Sequence, residues 1–151
     1  MIMGCKLCDD DGSVDIDQRL YRSMIGSLLY LTASRLDIML AVGLVARYQA
    51  THKQNHLLAV KIILRYLQGT AQYGLWYPKG KSFTLTTYTD AYWASCVDDR
   101  KSTSGGAFYL GEILVAWLSK KQTSISLSTS EAEYIATGAC CTQVMWMKQT
   151  L

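Results

Sequence analysis

Three carboxylates stand where this sequence could gather a cation: Asp90, Glu131 and Glu133. Asp90 follows the run 83–89, in which β-branched and aromatic residues alternate, so it falls at the end of a strand. A side chain there can project from a sheet into a cleft. Glu131 and Glu133 open a helical stretch. Each completes a Ser-x-x-Glu capping pattern, Ser128 with Glu131 and Ser130 with Glu133, and only one of the two can do the capping. With Ser128 as the N-cap, Glu131 folds back onto it and Glu133 is left to face the sheet. A strand-end aspartate opposite such a glutamate offers hard oxygen donors suited to magnesium. An aspartate that merely ends a strand and caps a turn is the competing use of Asp90, and spacing alone does not separate the two.

Other side chains with chemical potential read more plainly. Cys5 and Cys8 form a CxxC, but a structural zinc site needs a second ligand pair, and His52 and His56 do not stand in a finger-like register with one. The motif runs into an acidic turn at 9–12 and not into a helix, so free thiols are the expected state. Cys140 and Cys141 fall inside a helical pattern as small packing residues. Two basic pairs, Arg100 with Lys101 and Lys120 with Lys121, flank predicted strands and fall at one end of the sheet near Asp90. There they would meet phosphates without regard to sequence, or simply solvate a hairpin's turns. Trp93 and Trp117 read as packed aromatics, with base stacking the alternative.

The elements that must position these residues follow from hydrophobic period. From Asp17, Leu20, Met24, Leu28 and Leu31 recur at helical spacing. A second helix starts near Asp37 and carries Met39, Val42 and Ala46. A third has Asn55 as its N-cap candidate, Leu57, Val60, Leu64 and Leu67 on one face, and Gly69 as its stop. The period then changes to two. Residues 73–77 form a short strand candidate, 83–89 a longer one, and 106–110 and 113–118 a hairpin across Gly111 and Glu112, the Gly-first pair of a type II′ turn. A last helix covers about 130–147. The predicted class is α/β (α+β), with an acidic flexible tail over 1–16, a helical segment over 17–80 and a β-β-β-α unit over 81–151.

Composition sets the frame. The chain has 151 residues, half of them apolar and 18% charged, with a net charge of +3. It can bury a core, and the charge says little about nucleic acid. The longest uncharged run, 134–147, is short of the ~18 residues that would propose a membrane span. No secretory signal is visible at the N-terminus. The expectation is an intracellular protein, cytoplasmic or nuclear, that makes no use of a membrane.

Longer strings carry more information than any single residue. Tyr88-Thr-Asp90-Ala-Tyr-Trp93-Ala, the block from Asp98 to Gly106, Trp117-Leu-Ser-Lys-Lys-Gln122, and the block from Ser126 to Ala136 resemble the ribonuclease H region of copia-type retrotransposon Pol polyproteins. Upstream, the blocks from Leu20 to Arg35 and from Ala59 to Thr70 resemble the segment joining the reverse transcriptase to that ribonuclease H. The resemblance runs from about Cys5 to Leu151.

The resemblance implies a helical connection followed by part of a ribonuclease H-like domain. In the intact family that domain cuts the RNA strand of an RNA–DNA hybrid with two magnesium ions held by carboxylates. Matched to the family motif, Asp90 is the first-strand aspartate and Glu133 the helix glutamate, with Glu131 the alternative. A third carboxylate and a fourth metal-site residue are implied on elements beyond Leu151. The expectation is therefore little or no nuclease activity, weak or absent magnesium binding, and self-association through exposed sheet edges. Three positions depart from the family pattern: Tyr92 for Asp, Ser95 for a turn Gly, and Leu36 for Pro. With the early stop they read as a truncated genomic copy. The alternative, from a different class, is a non-enzymatic fragment retained as a nucleic-acid- or protein-binding or effector module.

Overall fold

The computed structural model describes residues 7–9, 12, 14, 16–79 and 84–150. The chain divides into two compact units, Met1–Leu75 and Trp76–Leu151.

The first unit is helical. Helix α1 spans Gln18–Leu31 and starts at Asp17, whose carboxylate accepts the Arg19 N–H at 2.8 Å. A 3-10 turn, Leu36–Ile38, leads directly into α2, Met39–Ala46, and α3 covers Gln54–Gly69. Their apolar faces meet in one cluster of Tyr21, Ile25, Leu28, Ile38, Val42, Val45, Leu57, Val60 and Ile63. Burying each large aliphatic or aromatic side chain there is worth ~1.5–3 kcal/mol. The cluster carries one polar atom deep inside, the Tyr21 hydroxyl, which donates to Val45 O at 2.7 Å.

The third helix starts earlier than its sequence signal. Lys53 is the N-cap and Asn55 lies inside the first turn. His56 replaces the expected side-chain cap, with Nδ1 accepting the Lys53 N–H at 2.9 Å. Its proton therefore sits on Nε2, which donates to Cys8 O at 3.0 Å. Tyr48 donates to Leu7 O at 2.9 Å, Thr51 bonds the Asp9 carboxylate, and Gln54 N donates to Val14 O at 3.0 Å. Described parts of the acidic N-terminal stretch are thus held on the helices. Residues 73–78 form no strand; the alternation of apolar and polar residues there lacks a neighbouring strand to supply its hydrogen bonds.

The second unit is a three-stranded antiparallel sheet in the order β1-β2-β3, with one helix. The strands are β1, Leu85–Tyr92, β2, Thr103–Leu110, and β3, Ile113–Lys121, followed by α4, Thr129–Thr150. The mixed α/β class expected from the period change is what the chain adopts, helices first and strands after. Gly111 takes φ +62°, as the first central position of a type II′ turn requires. A bulge between Phe108 and Tyr109 shifts the β2–β3 register.

Helix α4 packs across β1 and β2. The side it buries is a stripe of small residues one turn apart, Ala132, Ala136 and Cys140. Opposite lie Gly105 and Gly106 of β2. A Cβ on Gly106 would stand 2.7 Å from Cys140 Sγ, so the helix approaches as closely as it does because glycine leaves the space.

Candidate functional site

Asp90 is the sixth residue of β1, and Glu133 lies in the second turn of α4. The helix N-terminus fixes which glutamate reaches the sheet. Ser128 Oγ accepts the Glu131 N–H at 3.1 Å, and Glu131 Oε2 turns back to the Leu127 N–H at 2.7 Å. Glu131 is consumed by the cap. Glu133 points at β1, where its Oε1 accepts the Ala91 N–H at 3.1 Å, while Asp90 Oδ1 accepts the same N–H at 2.8 Å. Two carboxylates thus converge on one backbone donor, separated by no more than the sum of those distances. A shared N–H partly offsets the repulsion that two such charges would otherwise feel, and a cation between them would do so more completely.

A residue that sequence reasoning passed over sets this geometry. Gln122, buried just after β3, donates to Ala132 O at 2.9 Å and to Ser104 Oγ at 3.0 Å, and accepts from Ser126 Oγ at 3.0 Å. It ties the first turn of α4 to β2 one residue before Glu133. The Trp93 indole adds a second tie, donating to Ser126 O at 3.1 Å. A glutamine after two lysines gives no hint of this role.

The basic pairs divide in two. In the sheet register Ala91 pairs with Ser104 and Ser104 with Lys120, so Lys120 lies two strands, about 10 Å, from the carboxylate pair. Lys120 and Arg100 are exposed. Lys121 instead meets Asp99 at 2.8 Å, and Lys101 lies 3.9 Å from the same carboxylate. Trp93 is 40% exposed and Trp117 half-buried, so neither is the fully packed aromatic that was expected.

The His52–His56 pair holds structure together. His56 uses both ring nitrogens in hydrogen bonds, as described above, and stacks on Tyr48; His52 Nε2 bonds Ile16 O at 3.1 Å and its ring stacks on Tyr21. Cys5 of the CxxC lies outside the described residues. Among the described residues no cluster of three or more His, Cys, Asp and Glu side chains could hold a metal ion. No helix among them is long and apolar enough to cross a membrane. Of the three departures, Tyr92 is exposed at the end of β1, and Ser95 Oγ bonds Thr103 Oγ1 at 2.8 Å. Beside it Ala94 takes a left-handed backbone, φ +45°. Leu36 opens the 3-10 turn without a proline.

A helical unit followed in sequence by an antiparallel sheet, whose edge strand and covering helix bring two carboxylates together, defines a mixed α/β segment. Its relatives are specific. The chain is 39% identical over 142 residues to the retrovirus-related Pol polyprotein from transposon RE1 of Arabidopsis thaliana, a match covering 94% of this chain and 10% of that one. To the Pol polyprotein from transposon TNT 1-94 of Nicotiana tabacum it is 42% identical over 132 residues, covering 87% and 10%. It is also 38% identical over 128 residues to secreted RxLR effector protein 161 of Plasmopara viticola, covering 84% of this chain and 90% of the effector. The chain belongs to the retrovirus-related Pol family of copia-type transposons, and it spans about a tenth of the length of the Pol polyproteins it matches. No family model and no solved structure matches it.

Proposed function

We propose that the chain is the piece of a copia-type Pol polyprotein that joins the reverse transcriptase to its ribonuclease H and carries the first part of that ribonuclease H. The observation that supports this reading is the convergence of Asp90 and Glu133 on the Ala91 N–H, because an aspartate on the first strand and a helix glutamate are the pair the family motif requires. In the parent the substrate is the RNA strand of an RNA–DNA hybrid. The fit to magnesium is partial: both donors are hard oxygens, but two carboxylates leave a pair of divalent cations short of charge and fixed ligands. The described residues thus supply one half of a two-ion site. Asp90 and Glu133 are its metal residues, Arg100 and Lys120 its exposed phosphate contacts, and the outer edge of β1 is where a further strand, or a second copy of the chain, pairs.

A magnesium-dependent cleavage assay on an RNA–DNA hybrid tests this. The purified 151-residue chain is expected to leave the hybrid intact, and a longer product from the same element, carrying additional acidic residues, is expected to cut it and to lose activity on Asp90→Asn. Cleavage by the 151 residues alone, abolished by Asp90→Asn, refutes the half-site.

A second reading rests on the effector relative, of which the chain covers 90%. A retained, non-enzymatic module of this shape would bind without cutting. Hybrid binding that weakens steeply with salt, and that falls when Arg100 and Lys120 are both replaced by Gln, supports that role. Binding that ignores salt and both substitutions removes it.

A further inference from the structure

A reactive cluster lies apart from the Asp90–Glu133 pair, in the loop between β1 and β2. Cys96 is buried, 4% exposed, in a tight turn in which Cys96 N donates to Lys101 O at 3.1 Å and Arg100 N donates to Cys96 O at 2.9 Å. Lys121, the last residue of β3, brings Nζ to 3.2 Å from Cys96 Sγ. Asp99 holds that Nζ in place at 2.8 Å, and its other oxygen accepts the Lys101 N–H at 3.3 Å. Burial would raise the Asp99 carboxyl, but hydrogen bonds from Lys121, the Cys96 thiol and the Lys101 amide outweigh it and hold the group at about 2. A thiol and an ammonium group, the latter held in place by a carboxylate, are therefore preassembled.

We propose that Cys96 and Lys121 are a covalent modification site, joined by a single oxygen in an N–O–S bridge with dioxygen as the oxidant. The Lys121 ammonium gives one proton to solvent. One N–H and the thiol S–H then break, N–O and S–O bonds form, and the O–O bond is cleaved. The second oxygen leaves with both hydrogens as water. Sulfur and nitrogen each lose two electrons, and dioxygen takes all four.

Two features favour this product over others. The Nζ–Sγ contact is spanned by one bridging atom with a small closing movement, whereas a direct S–N bond needs the two atoms to move much closer. Burial keeps bulky thiols from Cys96, while dioxygen is small enough to reach it. The bridge ties the β1–β2 loop, next to Asp90, to the end of β3, and a thiol reductant reopens it.

The test is peptide mapping by mass spectrometry of the full chain held under air or under argon. Under air a linked species joining Cys96 to Lys121 is expected, heavier by one oxygen and lighter by two hydrogens, and reversed by dithiothreitol. Cys96→Ser and Lys121→Arg are expected to abolish it, whereas Lys120→Arg keeps it. Arginine at 121 preserves the charge opposite Asp99, so a fold held together by that ion pair survives the substitution. No linkage under air, a linkage that persists in Lys121→Arg, a linkage without the oxygen, or only sulfenic and sulfinic acid at Cys96 each overturns the proposal.

Discussion

Replacing Gly106 by alanine tests how the helix is seated and, through it, how Glu133 is delivered. The new Cβ would lie 2.7 Å from Cys140 Sγ and 3.2 Å from Leu118 Cγ. Non-bonded heavy atoms settle at ~3.5–4.0 Å, so close to an ångström of overlap must be relieved. Cys140 is buried under its own helix and has little room to swing, so α4 must lift or tilt. Overpacking of this kind costs ~1–3 kcal/mol, and removing a glycine from the unfolded chain returns ~0.5–1 kcal/mol. The expected net destabilisation is ~1–2 kcal/mol. Tryptophan emission is the right probe, because Trp76, Trp93, Trp117 and Trp146 all belong to the Trp76–Leu151 unit. Urea titrations should show a lower midpoint for Gly106→Ala. Cys140→Ala, which removes the clashing sulfur at a cost of ~1 kcal/mol, should make Gly106→Ala nearly harmless in the double variant. If Gly106→Ala is as stable as the parent, or if the two changes simply add, the close helix–sheet contact is not what holds α4.

The remaining expectations are simpler. Burial pushes the Tyr21 phenol up to about 12, against about 10 in the unfolded chain, so its contribution is complete below pH ~10 and is lost as pH rises toward ~12. The urea midpoint of the helical unit, followed by far-UV circular dichroism, should fall between about pH 9 and about pH 11.5 more steeply for the parent than for Tyr21→Phe; equal slopes would count against this assignment. Ser128→Ala removes the acceptor for the Glu131 N–H and should cost ~1 kcal/mol in the tryptophan-detected transition, with no loss contradicting the cap. Ala94 holds φ +45°, so Ala94→Gly should stabilise the same unit by up to ~1 kcal/mol, and a destabilised variant would mean that the methyl group makes a compensating contact.

Much of the architecture was legible because it rests on period. Helix α1 begins after the Asp17 cap, α3 ends at Gly69, and the Gly111–Glu112 hairpin forms where the pattern placed it. The Ser128 cap was legible too, since one N-terminus has room for one folded-back glutamate. The misses have different causes. Asn55 has the right chemistry for a cap, but His56 reaches back and fixes the start of α3 at Lys53. Residues 73–77 alternate like a strand, and no neighbour completes the ladder. Lys121 looks like a free phosphate ligand until the β1–β2 loop brings Asp99 to it. The first miss is a competition between neighbouring side chains, whereas the second turns on a missing partner strand and the third on a partner distant in sequence.

By itself the sequence determined most of the element types, the capping role of Glu131, and the family, because short-range spacing and long motif strings encode all three. Only the tertiary structure decided that Asp90 and Glu133 share the Ala91 N–H, that Gln122 ties α4 to β2, and that Cys96, Asp99 and Lys121 form one cluster. Those arrangements depend on register and on how closely a helix can approach a sheet. Both are set by packing between residues tens of positions apart, beyond the reach of any local pattern.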